Sequence, residues 1–163
     1  MKEKTIYYFT DEKSRDIIVL DKNNPPLSKN EIINAAVKKT LENIEVDDLQ
    51  SSYKKMHETE DINFLTGHCF VATEVLWELL KEQNEYEYVP NHIQHEGVSH
   101  WYLKSKLTGD IIDVTAGQFK TPVPYHKWEK GKRKGKASGM MRMPEIPTKR
   151  TIKVLDRIRK KYK

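Results

Sequence analysis

The feature that most constrains the fold is a change of hydrophobic spacing near the middle of the chain. In the stretch "CFVATEVLWELLK", which begins at Cys69, apolar residues recur at helical spacing. The residues that follow, up to Phe119, are instead rich in β-branched and aromatic side chains and are broken by proline and glycine. This order predicts a central, buried helix followed by the strands of one antiparallel sheet.

Two elements are predicted before this region. The short stretches "TIYYFT" and "DIIVLD" are rich in aromatic or β-branched residues and are separated by a charged turn, which predicts a small hairpin. Ser28, with Glu31 three residues later, has the pattern of a capping box. Apolar residues at helical spacing follow, so we expect a helix over about Lys29 to Asn43.

The stretch from Glu45 to Asn63 is polar and has no clear period. We interpret it as a loop with one helical turn near Leu49 to Met56. Its place directly before the central helix suggests that it shapes the approach to that helix.

Charge is distributed unevenly along this chain of net charge +5. From Lys127 to the end there are fifteen Lys and Arg against three Asp and Glu, whereas residues 1–126 are acidic. We expect one domain over 1–126, a basic and mobile segment over 127–147, and a basic helix over 148–163, capped by Thr148. This last helix has a narrow apolar stripe for docking, formed by Ile152, Leu155 and Ile158.

Several classes of protein are disfavoured by composition. Cys69 is the only cysteine, so an intramolecular disulfide and a thiolate-rich zinc site are excluded. No window approaches the apolar length of a membrane span, and the first residues lack the apolar core of a secretory signal. We therefore expect a cytoplasmic protein with no membrane partner.

Cys69 stands where the central helix begins, and the free N–H groups and dipole of a helix start stabilise a thiolate. In the extended segment "GVSHWYL", His100 and Tyr102 share one face. A Gly-containing turn centred near residues 106–108 would pair this segment with "DIIDVT" and bring Asp113 close to His100. The spacing predicts a thiol triad in which Cys69 is the nucleophile, His100 the base and Asp113 the orienting carboxylate.

Together, "TGHCFVATEVLWELL", "GVSHWYL" and "GDIIDVTAGQF" resemble the cysteine-helix, histidine-strand, aspartate-strand order of transglutaminase-like members of the papain-like cysteine peptidase superfamily. The pattern also resembles that of small bacteriophage proteins. The resemblance covers Asn63 to Phe119, about a third of the chain. It implies an α+β fold in which the cysteine helix packs on an antiparallel sheet. It also implies a thiol-dependent hydrolase or acyl transferase that acts on an amide or ester bond of a protein or small acyl substrate.

An acyl-transfer site of this kind also needs donors for an oxyanion. The backbone N–H of Cys69 can supply one, whereas the second is not identified by any pattern in the sequence, with His68 and Gln50 as candidates. Gln118, Trp101 and His68 are candidate substrate-binding residues.

Two other interpretations use the same part of the chain. A lone cysteine on an apolar helix face is commonly a small core residue. A metal site built from His92, His95 and the triad residues is disfavoured, because residues three apart on a strand face opposite sides. We therefore expect neither a metal nor a cofactor.

The alternative function is a non-catalytic, phage-type binding protein that engages nucleic acid or an acidic host protein through residues 127–163.

Overall fold

The structure is a computed structural model that describes residues 6–9, 17–20, 31–62, 64–107, 111–121, 123–125, 143–144 and 146–162. These residues combine helices with one antiparallel sheet, which confirms the predicted α+β class. In chain order the elements are β1 (Ile6–Phe9), β2 (Ile17–Leu20), α1 (Glu31–Asn43), α2 (Ser51–Thr59), α3 (Cys69–Glu82), β3 (Tyr88–His95), β4 (Val98–Ser105), β5 (Ile111–Asp113) and α4 (Lys149–Lys161). None of the described helices is long and apolar enough to cross a membrane.

The sheet has the strand order β2-β1-β5-β4-β3, and each neighbouring pair is antiparallel. The predicted N-terminal hairpin is confirmed by the pairing of β1 with β2. β3 and β4 are joined by the tight turn at Glu96 and Gly97, whose φ angles of 49° and 79° are the left-handed values that such two-residue turns require. β5 connects the two hairpins, because it pairs with β1 on one side and with β4 on the other.

Helix α3 is the central helix, and its buried face packs on the sheet and against α1 and α4. Helical spacing places Ala72, Thr73, Leu76 and Leu80 on the face of Cys69, and all four are buried. On the sheet the same core includes Leu103 and Ile112. Their strand neighbours Tyr102 and Ile111 face the other way and belong to a second, separate apolar cluster. Successive side chains of these strands therefore alternate between two faces, and both faces are buried.

Helix α4 belongs to the main core, but its buried stripe differs from the predicted one. Val154, Leu155 and Ile158 are buried against α1 and α3, whereas Ile152 is 41% exposed. The prediction was wrong for Ile152 because residues spaced only three apart drift around a helix of 3.6 residues per turn. A stripe that stays on one face alternates spacings of three and four. At the start of α4, the backbone N–H and hydroxyl of Thr148 both donate to Glu74 on α3, each at 2.9 Å.

The region predicted as a loop before Cys69 contains more helix than expected. α2 runs over Ser51–Thr59, nine residues, where the sequence indicated a single turn. It carries no fully buried residue, so its apolar pattern is too weak to reveal it. The predicted cap at Ser28 and most of the predicted basic segment, residues 127–142, lie outside the described residues.

One ion pair joins α4 to the connection between α1 and α2. Asp48 is 1% exposed, and Arg157 binds it with two hydrogen bonds, Nη1 to Oδ2 and Nη2 to Oδ1, each at 3.0 Å. The same guanidinium donates to the backbone carbonyl of Asn43 and lies 3.5 Å from Glu45. This bidentate geometry is specific to arginine and fixes the end of α1 relative to α4.

We expect Arg157→Gln to lower the free energy of unfolding by about 3 kcal/mol, because the buried Asp48 loses its counter-ion. Urea denaturation measures the change. The matched control is Arg159→Gln, which breaks an exposed ion pair with Glu82 on the same helix and should cost less than about 1 kcal/mol. Equal losses in the two variants would contradict this account.

Candidate active site

The turn that precedes Cys69 is held by α2. Gly67 has φ of 88°, and a Cβ at this position would lie only 2.6 Å from the ring of Tyr53, so a side chain cannot fit. His57, one turn further along α2, makes a 2.9 Å hydrogen bond through Nε2 with the backbone carbonyl of Thr66. The helix that the sequence did not reveal therefore fixes where the chain enters α3.

Cys69 is the first residue of α3, as predicted. No side chain caps this helix start, and among the described residues nothing accepts a hydrogen bond from the Cys69 N–H. A free N–H at a helix N-terminus favours negative charge on the cysteine sulfur and can donate to an oxyanion. The start of α3 thus has one of the two donors that acyl transfer requires.

The shortness of β5 leaves room for this helix start beside the sheet. β5 pairs with only Leu103 and Lys104 of β4, so the earlier part of β4 has no described strand on that side. Cys69 occupies this position: its Sγ lies 3.7 Å from the backbone carbonyl oxygen of Ser99, to which the thiol can donate. Cys69 therefore lies beside the edge of β4 that β5 leaves unpaired, in contact with Ser99, the residue that precedes His100.

His100 and Asp113 form a fully buried pair on the sheet face opposite α3. Nε2 of His100 lies 2.5 Å from Oδ2 of Asp113, and both side chains are 0% exposed. In the observed register Leu103 is opposite Ile112, so His100 and Asp113 are diagonal neighbours on one face rather than directly opposite. The predicted proximity of these two residues is confirmed.

Two further groups hold the Asp113 carboxylate. The hydroxyl of Tyr125 donates to Oδ2 at 2.6 Å, and the backbone N–H of Thr115 donates to Oδ1 at 3.1 Å. Both carboxylate oxygens are therefore satisfied, which a buried charge requires. Sequence reasoning missed Tyr125, because a single tyrosine after Val123 and Pro124 belongs to no recognisable pattern.

The surroundings of His100 favour its charged form. Burial alone would lower the pKa of this imidazole, but the charge and hydrogen bond of Asp113, together with the interaction with Cys69, outweigh that effect and raise the pKa of His100 to about 10. At neutral pH His100 is therefore an imidazolium.

The second nitrogen of His100 is the one left for the thiol. Nδ1 is buried and has no hydrogen bond within normal limits to a described residue. Cys69 nevertheless contributes to raising the pKa of this ring, and Nε2 is occupied by Asp113. Hydrogen bonds between a catalytic nucleophile and its base are often long or poorly aligned before a substrate binds. The order thiol, Nδ1, Nε2, carboxylate is the one that a Cys-His-Asp triad needs.

The other predicted site residues lie in different surroundings. Trp101 is buried in one cluster with Cys69 and Met143, and its ring meets the ring of Phe70 edge-on at 5.6 Å. His68, the residue before Cys69, is 0% exposed and stacks on Phe64 with ring centroids 5.1 Å apart. Trp101 thus borders the thiol, whereas His68 lies in the interior.

The remaining two candidates lie in turns. Gln118 donates from its side-chain amide to the backbone carbonyl of Thr115, three residues earlier, at 3.1 Å, so it supports the turn after β5. Gln50 is exposed and precedes the first residue of α2. Neither position identifies the second oxyanion donor.

The alternative metal site is not assembled in the described residues, where no group of three or more His, Cys, Asp or Glu is arranged to hold a metal ion. His92 contacts Trp101 on the α3 side, with ring centroids 4.9 Å apart, whereas His95 contacts Phe119 on the opposite face. Burial, and to a smaller extent the charge of His100, lower the pKa of His92, so this imidazole is neutral at pH 7.

Comparisons with protein-family models, with curated proteins and with solved structures found no match for this chain. The transglutaminase-like resemblance therefore stays a prediction, and the chemistry of the site follows from its own geometry.

We expect Asp113→Asn to lower the pKa of His100 from about 10 to below 6.5, because burial then acts without the opposing carboxylate charge. NMR titration of the imidazole measures this directly. Tyr125→Phe is the matched control, since it removes one hydrogen bond but keeps the carboxylate charge, and its His100 should stay protonated at pH 7. A wild-type pKa at or below 6.5 would contradict the arrangement.

The same pair makes stability depend on pH. Because the pKa of His100 is raised in the folded state, its contribution is complete below about pH 6.5 and is lost as the pH rises toward 10. The free energy of unfolding of the wild type should therefore exceed that of Asp113→Asn most near pH 6. The difference should shrink, by an amount on the order of 4 kcal/mol, as the pH approaches 10.

Proposed function

We propose that this protein is a thiol-dependent hydrolase or acyl transferase of the papain-like, transglutaminase-like type, which acts on an amide or ester bond. The observation that carries the proposal is the buried pair of His100 and Asp113, which leaves Nδ1 of His100 without a described partner, next to Ser99, whose carbonyl lies 3.7 Å from the thiol of Cys69. A buried histidine and aspartate that only stabilised a core would not need a thiol at a helix start beside them.

In this proposal Cys69 attacks the carbonyl carbon of the substrate as a thiolate. The imidazolium of His100 stabilises that thiolate before the reaction, and the helix start at Cys69 does the same through its N–H groups. A C–S bond forms and the carbonyl oxygen becomes an oxyanion, to which the Cys69 N–H donates. Collapse of this intermediate breaks the bond to the leaving group and gives an acyl-enzyme.

His100 handles the protons of both half-reactions. Its imidazolium gives a proton to the departing amine or alcohol, and the resulting neutral ring accepts a proton from the water or amine that attacks the thioester. Asp113 keeps Nε2 protonated and so directs Nδ1 to the reacting groups. Side chains alone carry the acyl group and the protons, so the proposed reaction requires no metal or cofactor.

The residues packed around the thiol suggest the kind of substrate group that the site accepts. Trp101 and Met143 form one buried apolar cluster with Cys69, and Phe70 packs against it. Apolar surroundings favour an apolar acyl group over a charged one. Trp101 is therefore the best supported of the proposed substrate-binding residues, while Gln118 and His68 have local structural contacts.

We expect the native protein to react with p-nitrophenyl acetate in a burst that approaches one nitrophenolate per chain, with the acetyl group on Cys69. Cys69→Ser should abolish the burst, and His100→Gln should slow it by about 10²- to 10⁴-fold. Stopped-flow absorbance and intact-protein mass spectrometry measure the two quantities. Asp156→Asn, at an exposed aspartate of α4, should leave the burst unchanged, whereas Asp113→Asn should slow it.

The core-thiol interpretation makes the opposite prediction for the same samples. If Cys69 is only a buried apolar residue, it stays unacetylated in the native protein and reacts with iodoacetamide only after denaturation. That result would reject the enzyme proposal.

A second candidate function is the binding of nucleic acid through α4. Lys149, Lys153 and Lys160 are exposed and lie within about 40° of one another around the helix axis. None of them has an ion pair among the described residues, whereas Arg157 and Arg159 are paired with acidic groups. The lysines are therefore available for phosphate groups.

If α4 binds nucleic acid, changing these three lysines to glutamine should weaken binding to a single-stranded oligonucleotide. The slope of log affinity against log salt should fall by about 0.7 for each phosphate that the variant no longer neutralises. Fluorescence anisotropy measures both. The control removes equal charge elsewhere, by the same change at Lys38, Lys54 and Lys55. Equal effects of the two triple variants would show that only net charge matters.

A further inference from the structure

Residues 119–121, here called the strap, are bound to the turn between β3 and β4. Oε2 of Glu96 accepts three hydrogen bonds from the strap: from the backbone N–H of Lys120 at 3.0 Å, from the N–H of Thr121 at 2.8 Å, and from the hydroxyl of Thr121 at 2.6 Å. Nε2 of His95 also lies 3.1 Å from the carbonyl oxygen of Thr121. One carboxylate thus holds two successive backbone N–H groups and a hydroxyl, a strong anchor for an exposed segment.

The strap carries Phe119 to His100. The two rings meet edge-on, with centroids 4.8 Å apart and an interplanar angle of 89°. Phe119 also meets His95 at 4.9 Å, while Tyr102 lies nearly parallel to His100 at 6.1 Å. The imidazole of His100 therefore has an aromatic ring on two sides, and its hydrogen bond to Asp113 is shielded from water.

A histidine at this position needs such support. The outer torsion of the side chain is soft, so the hydrogen bond to Asp113 alone allows the ring to rock and changes the direction in which Nδ1 points. Water that reached the pair would also weaken the attraction between the imidazolium and the carboxylate. The edge-on ring opposes both changes.

We propose that Phe119 is a positioning residue for His100, and that Glu96 holds it there by anchoring the strap. The role rests on the proposed function, because it assigns to Phe119 the orientation of the base in that reaction. Phe119 acts through the imidazole and is not itself a catalytic residue. The Thr121 hydroxyl is part of the anchor, since it makes the shortest of the bonds to Glu96.

The test compares the Nε2-bound proton of His100 in the full-length protein and its variants. We expect a sharp, slowly exchanging low-field NMR resonance for this proton in the wild type. Phe119→Ala, Glu96→Gln and Thr121→Val should broaden it or remove it, and should slow the burst with p-nitrophenyl acetate about tenfold or more. Thr121→Ser keeps the hydroxyl and should restore both properties. Glu58→Gln, at an exposed glutamate of α2, is the matched control and should change neither.

The two readouts separate this proposal from the proposed function. The resonance reports on His100 even if Cys69 never reacts, and recording it in Cys69→Ser removes the thiol from the comparison. A resonance and burst rate within twofold of wild type in both Phe119→Ala and Glu96→Gln would overturn the proposal. Loss in Phe119→Ala with no change in Glu96→Gln would reject Glu96 as the anchor. Should Phe119→Ala fail to fold, the comparison of Thr121→Val with Thr121→Ser tests the proposal, because only Thr121→Ser keeps the exposed hydroxyl that donates to Glu96. Equal resonances and burst rates in these two variants would then overturn it.

Discussion

The contact between His100 and Asp113 is the interaction on which the surrounding structure depends. Both side chains are withdrawn from water, and an ion pair in that position is stable only when its remaining hydrogen-bonding capacity is met. The turn after β5 supplies the N–H of Thr115, and the chain returns a few residues later to supply the hydroxyl of Tyr125. A protein that needed only a stable core would gain as much from apolar residues at these positions. The proposed reaction gives the buried imidazolium a role that would offset the cost of burying charge.

The geometry of the sheet brings this pair to the thiol. His100 faces away from α3, so a cysteine in the middle of that helix would be separated from it by the backbone of β4. The pairing of β5 with only two residues of β4 removes this obstacle, because it leaves an open strand edge where the start of α3 can approach. Cys69 can reach this edge because it is the first residue of its helix. In the proposed reaction the N–H groups of the same helix start also stabilise its thiolate. A longer β5 would occupy the place of the cysteine.

Much of this could be predicted from the sequence, because the relevant patterns are local. The helical spacing of apolar residues in α3 is strong and places the buried face of this helix. The alternation of side chains along an extended segment, together with the turn between β4 and β5, brings His100 and Asp113 to one face. What the sequence does not reveal depends on partners distant in the chain. α2 buries none of its residues completely, so it has no clear period, yet it holds the turn at Gly67. Tyr125 and Glu96 matter only through the residues they meet, and single residues with such contacts leave no periodic signal.

The contacts that position the site residues form two sets, one around Cys69 and one around His100 and Asp113. On the thiol side, α2 fixes Gly67 and thereby the start of α3. On the imidazole side, Tyr125 and the strap fix Asp113 and His100 from the opposite face of the sheet. Residues in separate networks affect stability almost additively, whereas residues that act on one reacting group do not. The two sets can therefore be independent in folding and still be strongly coupled in the proposed reaction, which needs both the thiol of Cys69 and Nδ1 of His100. Coupling that appears only in the rate of thiol chemistry is the signature that separates a catalytic pair from two buried side chains that happen to be neighbours.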